Sequence, residues 1–166
     1  MRIPAFLLMS LLGASAAMAD TVTIPFFTTE SSPQNIGTVL ATDTNYGLLL
    51  TPDLKGLPPG IHGFHIHQNP NCADGGQAAG GHLDPQKTEH HHGPYNKKGH
   101  MGDLPILYVN QAGQSSLASL APRLSVAEIR NHSVIIHAGG DNYADTPKPL
   151  GGGGARIACG IVPAVN

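Results

Sequence analysis

Gly and Pro punctuate this chain so densely, at 21 and 14 of its 166 residues, that most of its apolar stretches are short runs between turns. Such punctuation favours many brief strands over long helices, because both residues weaken helix interiors and supply the conformations that turns need. Eight runs have β character, at residues 21–28, 36–42, 46–50, 60–67, 104–109, 114–120, 133–138 and 156–162. Only residues 125–130 read as helical, with Ser125 as the cap and Glu128 three residues later completing a capping box. Nothing supports a parallel βαβ pattern, so the expected fold is all-β, an eight-stranded sandwich or barrel. A hydrophobic content of 40% over this length supports one domain with its own core. The formal charge of −2, without a basic cluster, excludes a general nucleic-acid binder.

Residues 1–19 read as an export signal: Arg2 supplies the positive end, residues 3–16 are largely apolar, and Ala17-Met18-Ala19 fits a small-residue cleavage site. The apolar run falls short of the ~20 residues that span a bilayer, so it reads as a cleaved leader and leaves no membrane association afterwards. Cleavage after Ala19 leaves a domain of residues 20–166 with eight Lys+Arg against eleven Asp+Glu, a net charge of −3. Export also sets the redox state of Cys72 and Cys159, the only possible intramolecular disulfide pair; two buried free thiols are the alternative.

Two long segments interrupt the strands, at residues 68–103 and 139–155, and loops of that length in a compact domain usually carry function. The run Gly151 to Gly154 within the second reads as a flexible turn, since no helix or phosphate-binding lysine follows it. Ten histidines against two cysteines and no tryptophan point to metal chemistry. His65 and His67 sit two apart on a strand and share a face, so both rings can converge on one ion. His62 has the opposite parity to His65 and reads as a hydrogen-bonded structural residue. The first long segment adds His82, the triple His90-His91-His92, His100 and Asp103, a donor set suited to a closed tetrahedral zinc site. His137 ends a strongly apolar strand, where a histidine is costly unless it is hydrogen-bonded or ligating.

These strings resemble the copper-zinc superoxide dismutase family, and its bacterial periplasmic members in particular. The resemblance rests on Gly63-Phe64-His65-Ile66-His67, Gly81-His82-Leu83-Asp84-Pro85, His91-His92-Gly93-Pro94, Gly99-His100-Met101-Gly102-Asp103 and the run from Gly151 to Gly160, in family order. It implies a Greek-key β-barrel, copper held by His65, His67, His82 and His137, and zinc held by His82, His91, His100 and Asp103, with His82 shared by both metals. Only the family pattern selects His91 from its triple, by its place two residues before Gly93-Pro94. The resemblance also places Asp141 beside the ligands, accepting hydrogen bonds from a copper histidine and a zinc histidine, with Asp145 as the alternative.

The implied activity is disproportionation of superoxide to oxygen and hydrogen peroxide. Copper would cycle between Cu(II) and Cu(I), zinc would orient and tune, and His82 would carry a proton. Arg156 is the expected guiding cation for the anionic substrate, with Lys97 and Lys98 as further candidates. Family members are homodimers or monomers. The competing reading is an exported, non-catalytic copper and zinc buffer, which has no need of Arg156.

Overall fold

The computed structural model describes residues 19–164, so the expected leader lies, apart from its last position, outside the described residues. Among the described residues ten strands follow in chain order: β1 (Thr21–Thr28), β2 (Asn35–Thr44), β3 (Gly47–Lys55), β4 (Gly60–His62), β5 (Phe64–His67), β6 (Leu107–Val109), β7 (Gln114–Ser115), β8 (Ser119–Ala121), β9 (Ser133–His137) and β10 (Arg156–Ile161). The sheet runs β5-β9-β10-β1-β2-β3-β7, with β8 also paired to β3, and every pairing is antiparallel. A separate β4–β6 pair bridges the two edges. β4 runs into β5 through Gly63, and β6 turns into β7 where the Asn110 side chain accepts the backbone N–H groups of Ala112 and Gln114. The sheet thus curls into a β-barrel, in agreement with the all-β strand pattern and with the Greek-key barrel that the family resemblance implies.

Strand alternation builds the interior. In β1, Val22, Ile24 and Phe26 are buried while Thr21, Thr23 and Pro25 face outward, and Leu48, Leu50 and Leu54 of β3 repeat the pattern. Burial of these side chains contributes about 1.5–3 kcal/mol each, against the entropy of ordering the chain. β5 and β9 depart from alternation: every residue in both is buried, so both faces of this part of the barrel are covered.

Two of the eight expected strands are divided. The run at 60–67 breaks at Gly63, whose N–H donates to Gly139 and whose carbonyl accepts from His137, and pairing passes there from β6 to β9. The run at 114–120 splits into β7 and β8, both carried by β3. The helical segment is a single turn, α1 (Val126–Ile129), and the Glu128 carboxylate accepts both the N–H and the hydroxyl of Ser125. Cys72 and Cys159 form a disulfide with their Cα atoms 5.9 Å apart, tying the long 68–106 connection to β10; neither is a free thiol.

Candidate metal centre

Strand pairing places the first histidines. His65 and His67 on β5 lie beside β9, whose last residue is His137, and His67 makes an isolated antiparallel bridge to His82 in the long connection. His65, His67, His82 and His137 are all buried, and one ring nitrogen from each lies within 4.8 Å of the others. In three of them one nitrogen is engaged and the other is left over. His65 Nε2 meets Asp141 at 2.7 Å, His67 Nδ1 meets the Gly80 carbonyl at 3.0 Å and His137 Nδ1 meets the Gly154 carbonyl at 3.2 Å. His65 Nδ1, His67 Nε2 and His137 Nε2 are buried without any hydrogen-bond partner. Three such orphans converging in one place are costly unless a cation completes them.

A second set shares His82. His82 Nδ1 and His91 Nδ1 each lie 3.0 Å from Asp103 Oδ1, and His100 Nδ1 lies 3.4 Å from the same oxygen. A tetrahedron of ligands about 2.0–2.1 Å from zinc has edges of roughly 3.3 Å, so this oxygen and three nitrogens are spaced to close around one ion. The backbone N–H groups of His92 and Gly93 donate to Asp103 Oδ2, which keeps Oδ1 aimed at the imidazoles. Both donor sets therefore fit the metals expected of them: an all-nitrogen set for copper and an N3O set for zinc.

Electrostatics agree with that division. Burial pushes the copper-side rings toward the neutral, ligating form, His65 to about 3, His67 to about 2 and His137 to about 4. On the other side burial also opposes charge at His91, but its hydrogen bonds to Asp103 and Asp141 win and raise it to about 9. The buried Asp103 carboxylate is held far below the usual carboxylate range, because the imidazoles of His100, His82 and His91 gathered around it outweigh desolvation. The zinc-side carboxylates thus favour positive charge beside His91, while burial pushes the shared His82 ring toward the neutral form.

Asp141 links the two sets. Its Oδ2 meets His65 Nε2 at 2.7 Å and its Oδ1 meets His91 Nε2 at 2.8 Å. Asp145, the alternative link, instead accepts the backbone N–H of His91. The glycine run has a steric reason rather than a flexible one. A side chain on Gly151, which has φ 71°, would collide with the Asp141 carboxylate, and one on Gly153 would stand 3.0 Å from His137 Cγ.

The family description "Copper/zinc superoxide dismutase (SODC)" matches residues 35–162. The chain belongs to the copper/zinc superoxide dismutase family. It is 51% identical to "Superoxide dismutase [Cu-Zn]" of Legionella pneumophila, an alignment covering 92% of this chain and 93% of that protein. Among solved structures, Cu/Zn superoxide dismutase from Brucella abortus matches with a TM-score of 0.82 and 45% identity, covering 86% of this chain and 99% of that one. The monomeric enzyme of Salmonella enterica matches with a TM-score of 0.74 and 47% identity, covering 86% and 99%. Superoxide dismutation is accordingly the activity of this chain, and copper and zinc are its cofactors.

For a dismutase, the approach to the copper-side histidines matters. A cavity of about 260 Å³ reaches His67, His82 and His137, and Arg156, Gly153 and Gly154 line it. The Arg156 guanidinium is fixed by donating to the Gly76 carbonyl at 2.6 Å and the Gly80 carbonyl at 2.7 Å. Gly80 is the residue that also holds the His67 ring, so one carbonyl aligns a ligand and the cation beside it. Lys97 and Lys98 are exposed and do not line this cavity. His62 is buried, with its ring nitrogens at the carbonyls of His137 and Pro58, and it supports the backbone of His137.

Arg123 is the functional-site residue that sequence reading missed. Its guanidinium donates to the carbonyls of Gly93, Pro94, Gly99 and His100, gathering both ends of the zinc-side loop. Its carbonyl partners carry no side-chain signature, and only the fold brings it within reach. Arg123→Ala is expected to lower zinc affinity by about ten- to a hundredfold, the range for losing an outer support of a ligand, while copper uptake changes less. Competition with a zinc chelator measures this, and an unchanged affinity would refute the role.

Proposed function

We propose that residues 20–166, exported to the periplasm after removal of a signal peptide at 1–19, convert superoxide to oxygen and hydrogen peroxide at the two donor sets joined by His82. The observation that carries this reading is the shared membership of His82 in both groups of ligand atoms. His65, His67, His82 and His137 hold copper, and His82, His91, His100 and Asp103 hold zinc. When bound, copper supplies the one-electron couple that oxidises one superoxide and reduces the next, while zinc supplies fixed positive charge. Asp103 lies on the Nδ1 side of His82, so Nε2 is the atom that would serve the copper-side set and that, when not ligating, would hold a proton for the peroxide product. Asp141 holds the His65 and His91 rings in register, so the two sets keep their spacing.

Arg156 docks the anion at the cavity mouth. Its charge is permanent near neutrality even though burial lowers its pKa. Arg156→Ile is expected to retain both metals and to lose about tenfold in kcat/KM at low ionic strength, with the gap narrowing as salt screens the field. Arg156→Lys restores part of the rate if charge is what matters. Identical salt dependence in the wild type and Arg156→Ile would remove the guiding role.

The decisive experiment is metal analysis of the purified mature protein together with superoxide disproportionation before and after selective copper removal. Copper and zinc near one equivalent each, with activity that disappears and returns with copper, is the expected result. Both metals bound without activity would favour the buffer.

A further inference from the structure

The triple histidine divides by direction. His91 is buried among the zinc-side donors, whereas His90 and His92 are the only two of the ten histidines that are exposed. In an extended segment, residues two apart share a face, so the neighbours of an inward His91 both present their rings to solvent. Those two rings are paired: their centroids lie 5.5 Å apart with an interplanar angle of 27°. His67 and His137, two of the copper-side residues, stand 5.6 Å apart at 31°. The surface pair therefore reproduces both the spacing and the tilt of an internal ligand pair. A carboxylate lies beside one ring of the pair, with Asp145 Oδ2 3.6 Å from His90 Nδ1.

The backbone beneath the pair is anchored. His100 donates its N–H to the His90 carbonyl, His91 donates to Asp145, and His92 donates to Asp103. Gly99 packs so closely on His92 that a Cβ there would stand 2.8 Å from His92 Cβ. Rings on so fixed a base lose little backbone freedom when they chelate, which favours binding over a pair of rings on a loose loop.

We propose that His90 and His92 form a third metal site, open to solvent, for a divalent first-row cation such as Zn²⁺ or Cu²⁺, with Asp145 adding favourable charge. Imidazole pairs suit both ions, and an exposed site with few protein ligands keeps positions for water and exchanges its ion readily. The site is separate from the two that serve dismutation, and its ion lies on the outer side of the segment whose inner residue is His91.

Calorimetric titration of the holoenzyme, already carrying copper and zinc, with further Zn²⁺ tests the assignment. One additional equivalent is expected for the wild type. His90→Gln and His92→Gln should each weaken its uptake by at least the ten- to hundredfold that loss of an outer support costs an ordinary site, and the double variant should abolish it. His132→Gln should leave it unchanged, because the His132 ring is engaged with the Gln68 carbonyl. A flat wild-type titration, or uptake that persists in the double variant or disappears in His132→Gln, would overturn the proposal. Because the internal sites are filled beforehand, failure here is distinguishable from failure of the copper and zinc assignments.

Discussion

His137→Ala is expected to purify with zinc but without copper and to lose at least about a hundredfold in dismutase activity. The residue ends β9, where its N–H donates to Gly63 and its carbonyl receives the His62 ring, so the backbone at this point is held independently of the imidazole. Its ring is oriented by the Gly154 carbonyl, which leaves Nε2 buried and free. Alanine removes one of four copper-side donors and touches none of the zinc-side atoms. Loss of a direct ligand should exceed the ten- to hundredfold cost of losing an outer support. Elemental analysis of the variant checks the split between metals, and normal copper occupancy would overturn the assignment of His137.

Removal of the disulfide is expected to have the largest effect on stability. Cys72 and Cys159 are 87 residues apart in sequence, and closing a loop of that length restricts the unfolded chain by about 4–5 kcal/mol in the chain-entropy account, an upper figure. At about 2–4 °C per kcal/mol for a domain of this size, Cys72→Ser/Cys159→Ser should melt on the order of 10 °C lower. The bridge is also coupled to the site. Its loop carries the Gly76 and Gly80 carbonyls that hold Arg156, and Gly80 orients His67 as well. The variant should therefore lose part of the low-salt rate advantage assigned to Arg156, in addition to stability. Equal melting temperatures with and without the bridge would contradict this account.

The contrast between Arg123 and His65 shows which parts of the site were legible in the sequence. His65-Ile66-His67 advertises itself because β periodicity places two imidazoles on one face, and the capping box at Ser125 and Glu128 is equally local. Arg123 works entirely through backbone carbonyls 23 to 30 residues away, a kind of partner that no residue type reveals. The strand break at Gly63 was hidden for a related reason. A continuous β pattern runs through residues 60–67, and only the contact with Gly139 and His137 transfers the pairing from one strand to another.

Local chemistry, then, was determined by sequence alone: the β punctuation that demands an all-β fold, the imidazole and carboxylate donors, and the single cysteine pair. What tertiary structure decided was convergence. His65 and Asp141 are 76 residues apart and His91 and Asp141 are 50 apart, yet one carboxylate joins both rings. The triple histidine could present any of its members inward until the Asp103 and Asp145 contacts turned His91 in and left His90 and His92 outside. The reason is physical: side-chain periodicity acts over a few residues, whereas donor spacing of about 3 Å is set by how the barrel curls and how its two long loops close over it.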